Sequence, residues 1–390
     1  MHEANYGPLP TSQARPSSQV TCGQRATARR DFCNGSPMRD QRHFENDQAL
    51  IHNPDPQAGE APDLALDPSV RVLWRSAEQI QLELGARCVI VDGVDQNSVR
   101  RLTGQRGEPP DPGLLDDAID ALRAAGFLMR PSRDRSTQVP RLAAEFAALR
   151  VRRGERAHDL LASRQASTVA INGTSRIAAI IGALLGAAGV GHVSIAGEGD
   201  VRLHQTAPGG LLPSDEGQRF TAAAAAAVTR MAPDCDTSPA AAGFRPDLVV
   251  LAADRPIDTE LRDTLHTRGT PHLVAWTGAD HGVVGPLALP GVASCLRCAD
   301  LHRLDRDPAW PALAVQLAIR PRHGHPSDVS LASLIASVAA VQVLAFLAGD
   351  DPPTIEGTLE IQLPDWRIRR RSWAPHPDCD CGALRAQNVR

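Results

Sequence analysis

The sequence predicts two folded parts, a doubly wound α/β domain over residues 166–390 preceded by a small winged-helix-like α+β domain over 63–135. Three observations carry this. From about residue 168, short continuous apolar runs alternate with helical stretches, the pattern of a parallel sheet covered on both faces. Between 64 and 135, three short strand patterns precede a small helical set. Two close cysteine pairs, Cys295-Leu-Arg-Cys298 and Cys379-Asp-Cys381, lie toward the C-terminus at a spacing that suits one tetrahedral metal ion.

Residues 1–62 are rich in Gln, Asn, Pro, Arg and Ser and lack apolar periodicity, so they read as a disordered tail. Strands follow at 70–75, 80–84 and 88–91, with clear alternation in the second. Helices are expected at 96–102 and 114–125, the second entered through Asp111-Pro-Gly and ended by Gly126, and Phe127-Leu-Met closes the unit. An arbitrary small α+β module fits this pattern almost as well. An amphipathic, arginine-rich helix over 141–161 fills the linker at 136–165. Beyond it, strands at 168–171, 192–195, 247–252 and 272–276 alternate with helices at 177–188, 221–231 and 257–267. The apolar stretch 329–347 is interrupted by Ser330, Ser333, Ser337 and Gln342, which favours a buried helix over a membrane span.

Composition narrows the chemistry. All 41 Lys+Arg residues are Arg, so Schiff-base lysines and lysine–phosphate contacts are excluded. A net charge of −4 gives no reason to expect nucleic acid as the main partner. The polar N-terminal stretch lacks the order of a signal peptide, and the expected location is the cytoplasm. Of the eight cysteines, Cys22, Cys33, Cys88 and Cys235 are scattered, and Cys235 reads as a thiol in a flexible loop. Cys295, Cys298, Cys379 and Cys381 can close a four-sulfur shell around structural Zn²⁺, with two disulfides or four unrelated thiols as the alternatives. His302, His323 and His325 near Asp300, Asp305 and Asp307 offer a second metal cluster. Residues 300–310 read more easily as a polar loop entering a helix, with Asp307-Pro308 as cap and first turn. Residues 367–371 form a basic rim on a strand.

Ligands of doubly wound sheets sit beyond the carboxyl ends of the strands, near the first strand-to-helix turn. Here that turn is Asn172-Gly-Thr-Ser-Arg-Ile-Ala178, where a nucleotide-binding turn wants Gly-x-Gly-x-x-Gly. Only Gly173 is in register; Ser175 stands at the second glycine and, beside the long Arg176, crowds the phosphate position. The turn therefore reads as Rossmann-like in shape and degenerate in function.

At this point residues 166–390 resemble the ThiF/MoeB/HesA superfamily of ATP-dependent activators of ubiquitin-like carboxyl termini. The resemblance runs through the turn at Gly173, the helix end Leu185-Gly-Ala-Ala-Gly-Val-Gly-His192, the run Pro246-Asp-Leu-Val-Val-Leu-Ala-Ala-Asp254, and the segment from Gly285 to Cys298. It implies Asp254 as the acid near Mg²⁺-bound phosphates and the four cysteines as zinc ligands. It also exposes departures: Glu198 is the nearest substitute for the ribose acid, and Arg219 or Phe220 replaces the phosphate lysine. Asn172 to Gly191, Ala207-Pro-Gly-Gly-Leu-Leu-Pro-Ser-Asp-Glu-Gly217, Cys295 to Pro311 and the run His376 to Cys381 carry a narrower resemblance, covering about 64–390, to actinobacterial ThiF-like proteins that bind precursor leader peptides in thiazole/oxazole-modified microcin biosynthesis. It implies a leader peptide captured by the small domain, a separate YcaO-type cyclodehydratase as partner, and a homodimer. The strand Cys88, Val89, Ile90, Val91 would present the edge to which the leader adds, beside the helix at 114–125. An active adenylyltransferase using Mg-ATP and Asp254 is the alternative, and a DNA-binding winged helix a third reading.

Overall fold

The computed structural model describes residues 65–93, 99–100, 122–123, 126–129, 139–241, 243–252, 257–317 and 326–384. The chain divides into two units, Met1–Arg133 and Asp134–Arg390. In the first, β1 (Ala65–Leu66) pairs antiparallel with β5 (Leu128–Met129), and β2 (Arg71–Ser76), β3 (Gln79–Leu84) and β4 (Arg87–Asp92) form an antiparallel sheet with β3 central. The period-two pattern in β3 explains its place: Ile80, Leu82 and Leu84 are buried while Gln79, Gln81 and Glu83 are half-buried. Gly85, at φ +61°, supplies the left-handed residue that a two-residue hairpin between Leu84 and Arg87 requires. Of the helices expected at 96–102 and 114–125, residues 99–100 and 122–123 are helical, and the rest lie outside the described residues, as does the N-terminal tail.

The second unit opens with α1 (Ala143–Arg153) and α2 (Ala157–Ala166). The single helix expected over 141–161 is thus two, because Gly154 at φ +59° breaks it. There follow β6 (Thr168–Asn172), α3 (Arg176–Ala187), β7 (His192–Ala196), α4 (Phe220–Met231), β8 (Leu248–Ala252), α5 (Thr259–Thr267), β9 (His272–Thr277) and β10 (His281–Ala288). The remainder comprises α6 (Leu296–Arg306), α7 (Trp310–Leu317), α8 (Val329–Leu347), β11 (Gly357–Gln362) and β12 (Ile368–Ser372).

These seven strands form one sheet in the order β12-β11-β10-β9-β8-β6-β7. It is parallel from β7 to β9 and antiparallel from β9 to β12, so the fully parallel sheet expected from the sequence is corrected to a mixed one. Helices α3, α4 and α8 bury their apolar residues in one core with the sheet, and α5 and α6 pack Leu265 and Leu296 against Val249 and Leu251 on the other face. Helix α8, the apolar stretch of near-spanning length, is a core helix with Leu331, Ile335, Ala339 and Val343 buried and Asp328 capping two N–H groups. A Cβ at Gly282 would meet Ile335 Cγ1 at 2.3 Å, so β10 and α8 approach as closely as they do because that residue is glycine.

Candidate functional site

The cysteine pairs converge. Cys295 precedes the first turn of α6, Cys298 lies in it, and the C-terminal turn delivers Cys379 and Cys381, so that all four sulfurs lie within 4.8 Å of one another. The contacts Cys295–Cys298, Cys295–Cys379 and Cys298–Cys381 measure 3.8, 3.7 and 3.6 Å. A tetrahedron of sulfurs about 2.3 Å from a central Zn²⁺ has edges of about 3.8 Å, whereas a disulfide brings sulfur to about 2.05 Å. The donor set, its spacing and its burial therefore fit a metal ion, and the thiols are unpaired. Burial and mutual hydrogen bonds drive the thiols' acidities apart, with Cys295 and Cys379 raised and Cys298 lowered. The bond from Cys295 draws the Cys298 thiol down to about 4 against burial, helped by a backbone hydrogen bond involving His376, while burial raises Cys379 to about 12. A cation would let all four ionise together.

The second cluster is a hydrogen-bonded staple. His376 Nδ1 accepts from Asp378 N at 3.1 Å and its Nε2 meets Asp305 Oδ2 at 2.8 Å, while His302 Nε2 meets the Ala374 carbonyl at 2.9 Å. His376 Nε2 thus holds the cysteine turn to α6 while its Nδ1 shapes the turn itself. Residues 300–306 are helix and not the loop expected, continuing the helix anchored by buried Leu296, Cys298 and Ala299 and joined by the Asp300–Arg303 pair at i,i+3. Asp307 does cap the turn leading into α7, accepting the Ala309 N–H. His323 and His325 lie outside the described residues.

At the nucleotide turn, Gly173 sits at φ +132°, which only glycine adopts readily, and leads into α3. Ser175 spends its hydroxyl on the Ala252 carbonyl at the end of β8, 2.6 Å away. Arg176 lies across the turn, its Nε donating to the His204 carbonyl at 2.9 Å and its Nη1 to the Ser327 carbonyl at 2.7 Å. Gln205 closes the other side on the Thr174 carbonyl, 2.7 Å away. The cavity left there, lined by Thr174, Ser175, Arg176, His204, Gln205, Thr277 and Ser327, measures about 20 Å³, where small-molecule sites run to about 300–1,000 Å³. Glu198 is exposed beyond β7, and Arg219 precedes α4 in an exposed pair with Asp200 at 3.6 Å. Asp254 lies outside the described residues.

Cys88, Val89, Ile90 and Val91 lie in β4, an edge of the small sheet, with Cys88 exposed and Val91 buried. Cys235 is a correction: it is buried against Gly186, with burial pushing its thiol up to about 11, because Arg141 fastens the neighbouring Asp234 to the end of α3. A further group was not singled out in the sequence. Trp373 is buried beneath Arg303, Arg306 and Arg371, whose guanidinium carbons lie 5.1, 5.2 and 5.8 Å from its ring centre. The i,i+3 arginines of α6 and the odd-numbered arginines leading to Trp373 were the available signal.

No protein-family model and no curated protein matches the sequence. Solved structures do. E. coli MccB with MccA-N7isoASN superposes with a TM-score of 0.61 at 15% identity, over 83% of this chain and 100% of that one. The microcin C7 biosynthetic enzyme MccB in complex with N-formylated MccA gives a TM-score of 0.61 at 15% identity, over 82% and 99%. MccB with ATP gives 0.61 at 15% identity, over 82% and 100%, and PaaA gives 0.53 at 16%, over 66% and 91%. At such identities the likeness establishes the fold alone, a mixed α/β architecture shared with MccB.

Proposed function

We propose that this chain is a peptide-recognition scaffold that binds the leader of a ribosomally made precursor and presents it to a YcaO-type cyclodehydratase for azoline and azole formation. The observation that carries the reading is the turn crossed by Arg176, whose guanidinium donates to the His204 and Ser327 carbonyls where a phosphate would approach the backbone. With the phosphate position filled and no lysine in the chain, the ThiF-like unit serves as a platform. Peptide binding fits the neighbours' ligands, since the isoasparagine, selenomethionine and N-formyl group named with MccA are those of a polypeptide. In this reading the small unit (63–135) takes the leader on the β4 edge at Cys88, Val89, Ile90 and Val91, and 136–165 links it to the platform at 166–390. Structural zinc on Cys295, Cys298, Cys379 and Cys381 fastens the C-terminal turn. A homodimer working in the cytoplasm completes it, with neither nucleic acid nor membrane as partner.

Calorimetry with Mg-ATP tests the platform role. The expected affinity is no tighter than about millimolar, about −4 kcal/mol. The second reading, an ATP-dependent adenylyltransferase of the ThiF/MoeB type, is favoured by the MccB structures that hold ATP and AMPCPP. Micromolar ATP binding at Gly173, Ser175, Glu198 and Arg219, or pyrophosphate exchange abolished by Asp254→Ala, would establish it instead.

A further inference from the structure

We propose that the arginine-rimmed edge of the seven-stranded sheet is a docking surface for an acidic, extended polypeptide segment, which pairs with β12 as an added strand. The backbone points the way. β12 pairs only with β11 among the described residues, and all five of its residues are exposed. The Trp373 N–H donates to the Glu356 carbonyl at 2.8 Å, which sets the antiparallel alternation. Arg369 and Arg371 therefore turn their peptide groups toward β11, and Ile368, Arg370 and Ser372 turn theirs outward. An outward row of unpaired donors and acceptors is what strand addition uses.

The side chains specify what kind of strand. Arg369 and Arg371 border a cavity of about 610 Å³ together with His281, Val283 and Glu360, and Arg303 and Arg306 from the last turn of α6 converge with Arg371 on Trp373. Asp300 pairs with Arg303, Glu360 with Arg371, and Asp365 with both Arg367 and Arg369, while Asp280 and Asp305 hydrogen-bond His281 and His376. The excess lies along the strand, where Arg367, Arg369, Arg370 and Arg371 face only Asp365 and Glu360 in these pairs; Arg370 bonds to Ser372 and to carbonyls at 353, 355 and 356, and among the described residues Arg306 has no carboxylate partner. Trp366 and Ile368, each 55% exposed, give alternate apolar contacts. A second copy of this chain fits poorly, since antiparallel self-pairing of β12 would oppose arginine to arginine. The proposal concerns the unit Asp134–Arg390 alone and does not rest on leader capture at β4.

The test is fluorescence anisotropy on the full chain with a labelled octapeptide of alternating Glu and Val, its Lys/Val counterpart, and oligodeoxythymidylate as competitor. The Glu/Val probe should bind at least about tenfold tighter than the Lys/Val probe, weaken with salt, and lose about fivefold or more with Arg306→Glu. Ile368→Pro should weaken it about tenfold relative to Ile368→Thr, because both lose the side chain and only proline loses the outward N–H. If Ile368→Pro does not fold, hydrogen exchange decides, with slowed exchange at 368–372 on adding the Glu/Val peptide as the expected result. Ile90→Pro in β4 should leave this binding intact. Equal binding of both peptides, equal binding by the proline and threonine variants, unchanged exchange at 368–372, equal competition by the oligonucleotide, or loss with Ile90→Pro would each overturn the proposal.

Discussion

In the proposed zinc site, each sulfur helps to hold the C-terminal turn in place. Cys381 is buried and reaches Cys298 at 3.6 Å, so Cys381→Ser should leave three ligands and free the turn, since metal-binding energy here is folding energy. We expect about one zinc per chain by elemental analysis of the parent protein, and in the variant loss of that zinc with a melting temperature lower by about 10 °C, or about 3 kcal/mol. A parent that is stable and free of metal with reactive thiols would remove zinc from the account. Asp234 offers a second residue-level test. The Arg141 hydrogen bond holds its carboxyl below the usual range, so its contribution is present above about pH 4 and lost as pH falls through the depressed folded value. Asp234→Asn should therefore narrow the stability difference between about pH 5 and pH 2, with a small amplitude because the side chain is 40% exposed. An acid limb identical to the parent's would show that the pair does not couple α1's approach to the fold. The convergence of the four cysteines was legible because soft-ligand pairs are written in spacing. The arginines around Trp373 were not, because they come from two elements that only the sheet brings together.

Elements were legible where their period was uninterrupted. β6, β8 and β9 are runs of β-branched and apolar residues, and β3 alternates cleanly. β10 was missed because Gly282, Gly285 and Pro286 break its pattern, although Gly282 is there to admit α8. The break between α1 and α2 was missed because the arginine-rich amphipathicity continues across Gly154 while the backbone does not. The edge strand β4 carries the element-level prediction. Strand addition works through backbone groups, so Ile90→Pro should weaken binding of a synthetic precursor leader at least about tenfold, while Arg100→Ala at an exposed position should change it by less than about twofold. Titrating a panel of leaders against the full chain and both variants measures this. If no leader binds, or if the proline variant binds as the parent does, capture by this edge is wrong.

At the scale of the whole molecule, the proposed platform role rests on several departures from a nucleotide-binding turn, each in a separate place. In the proposed reading Ser175 stands where a second glycine would be and bonds the Ala252 carbonyl, Arg176 crosses the turn, Glu198 is exposed, and Arg219 is paired with Asp200. These residues sit on α3, beyond β7 and before α4, so no one of them is the block. Removing the plug with Arg176→Gly would free the His204 and Ser327 carbonyls and enlarge the cavity, yet acceptor oxygens repel phosphate and no lysine replaces the guanidinium. The variant should therefore gain less than about tenfold in ATP affinity, about 1.4 kcal/mol, and remain far from micromolar. Calorimetry on Arg176→Gly and on the Ser175→Gly/Arg176→Gly double variant measures it. Micromolar binding in either would mean that an intact site lies behind one guanidinium, and the chain would then be a gated nucleotide enzyme and not a platform.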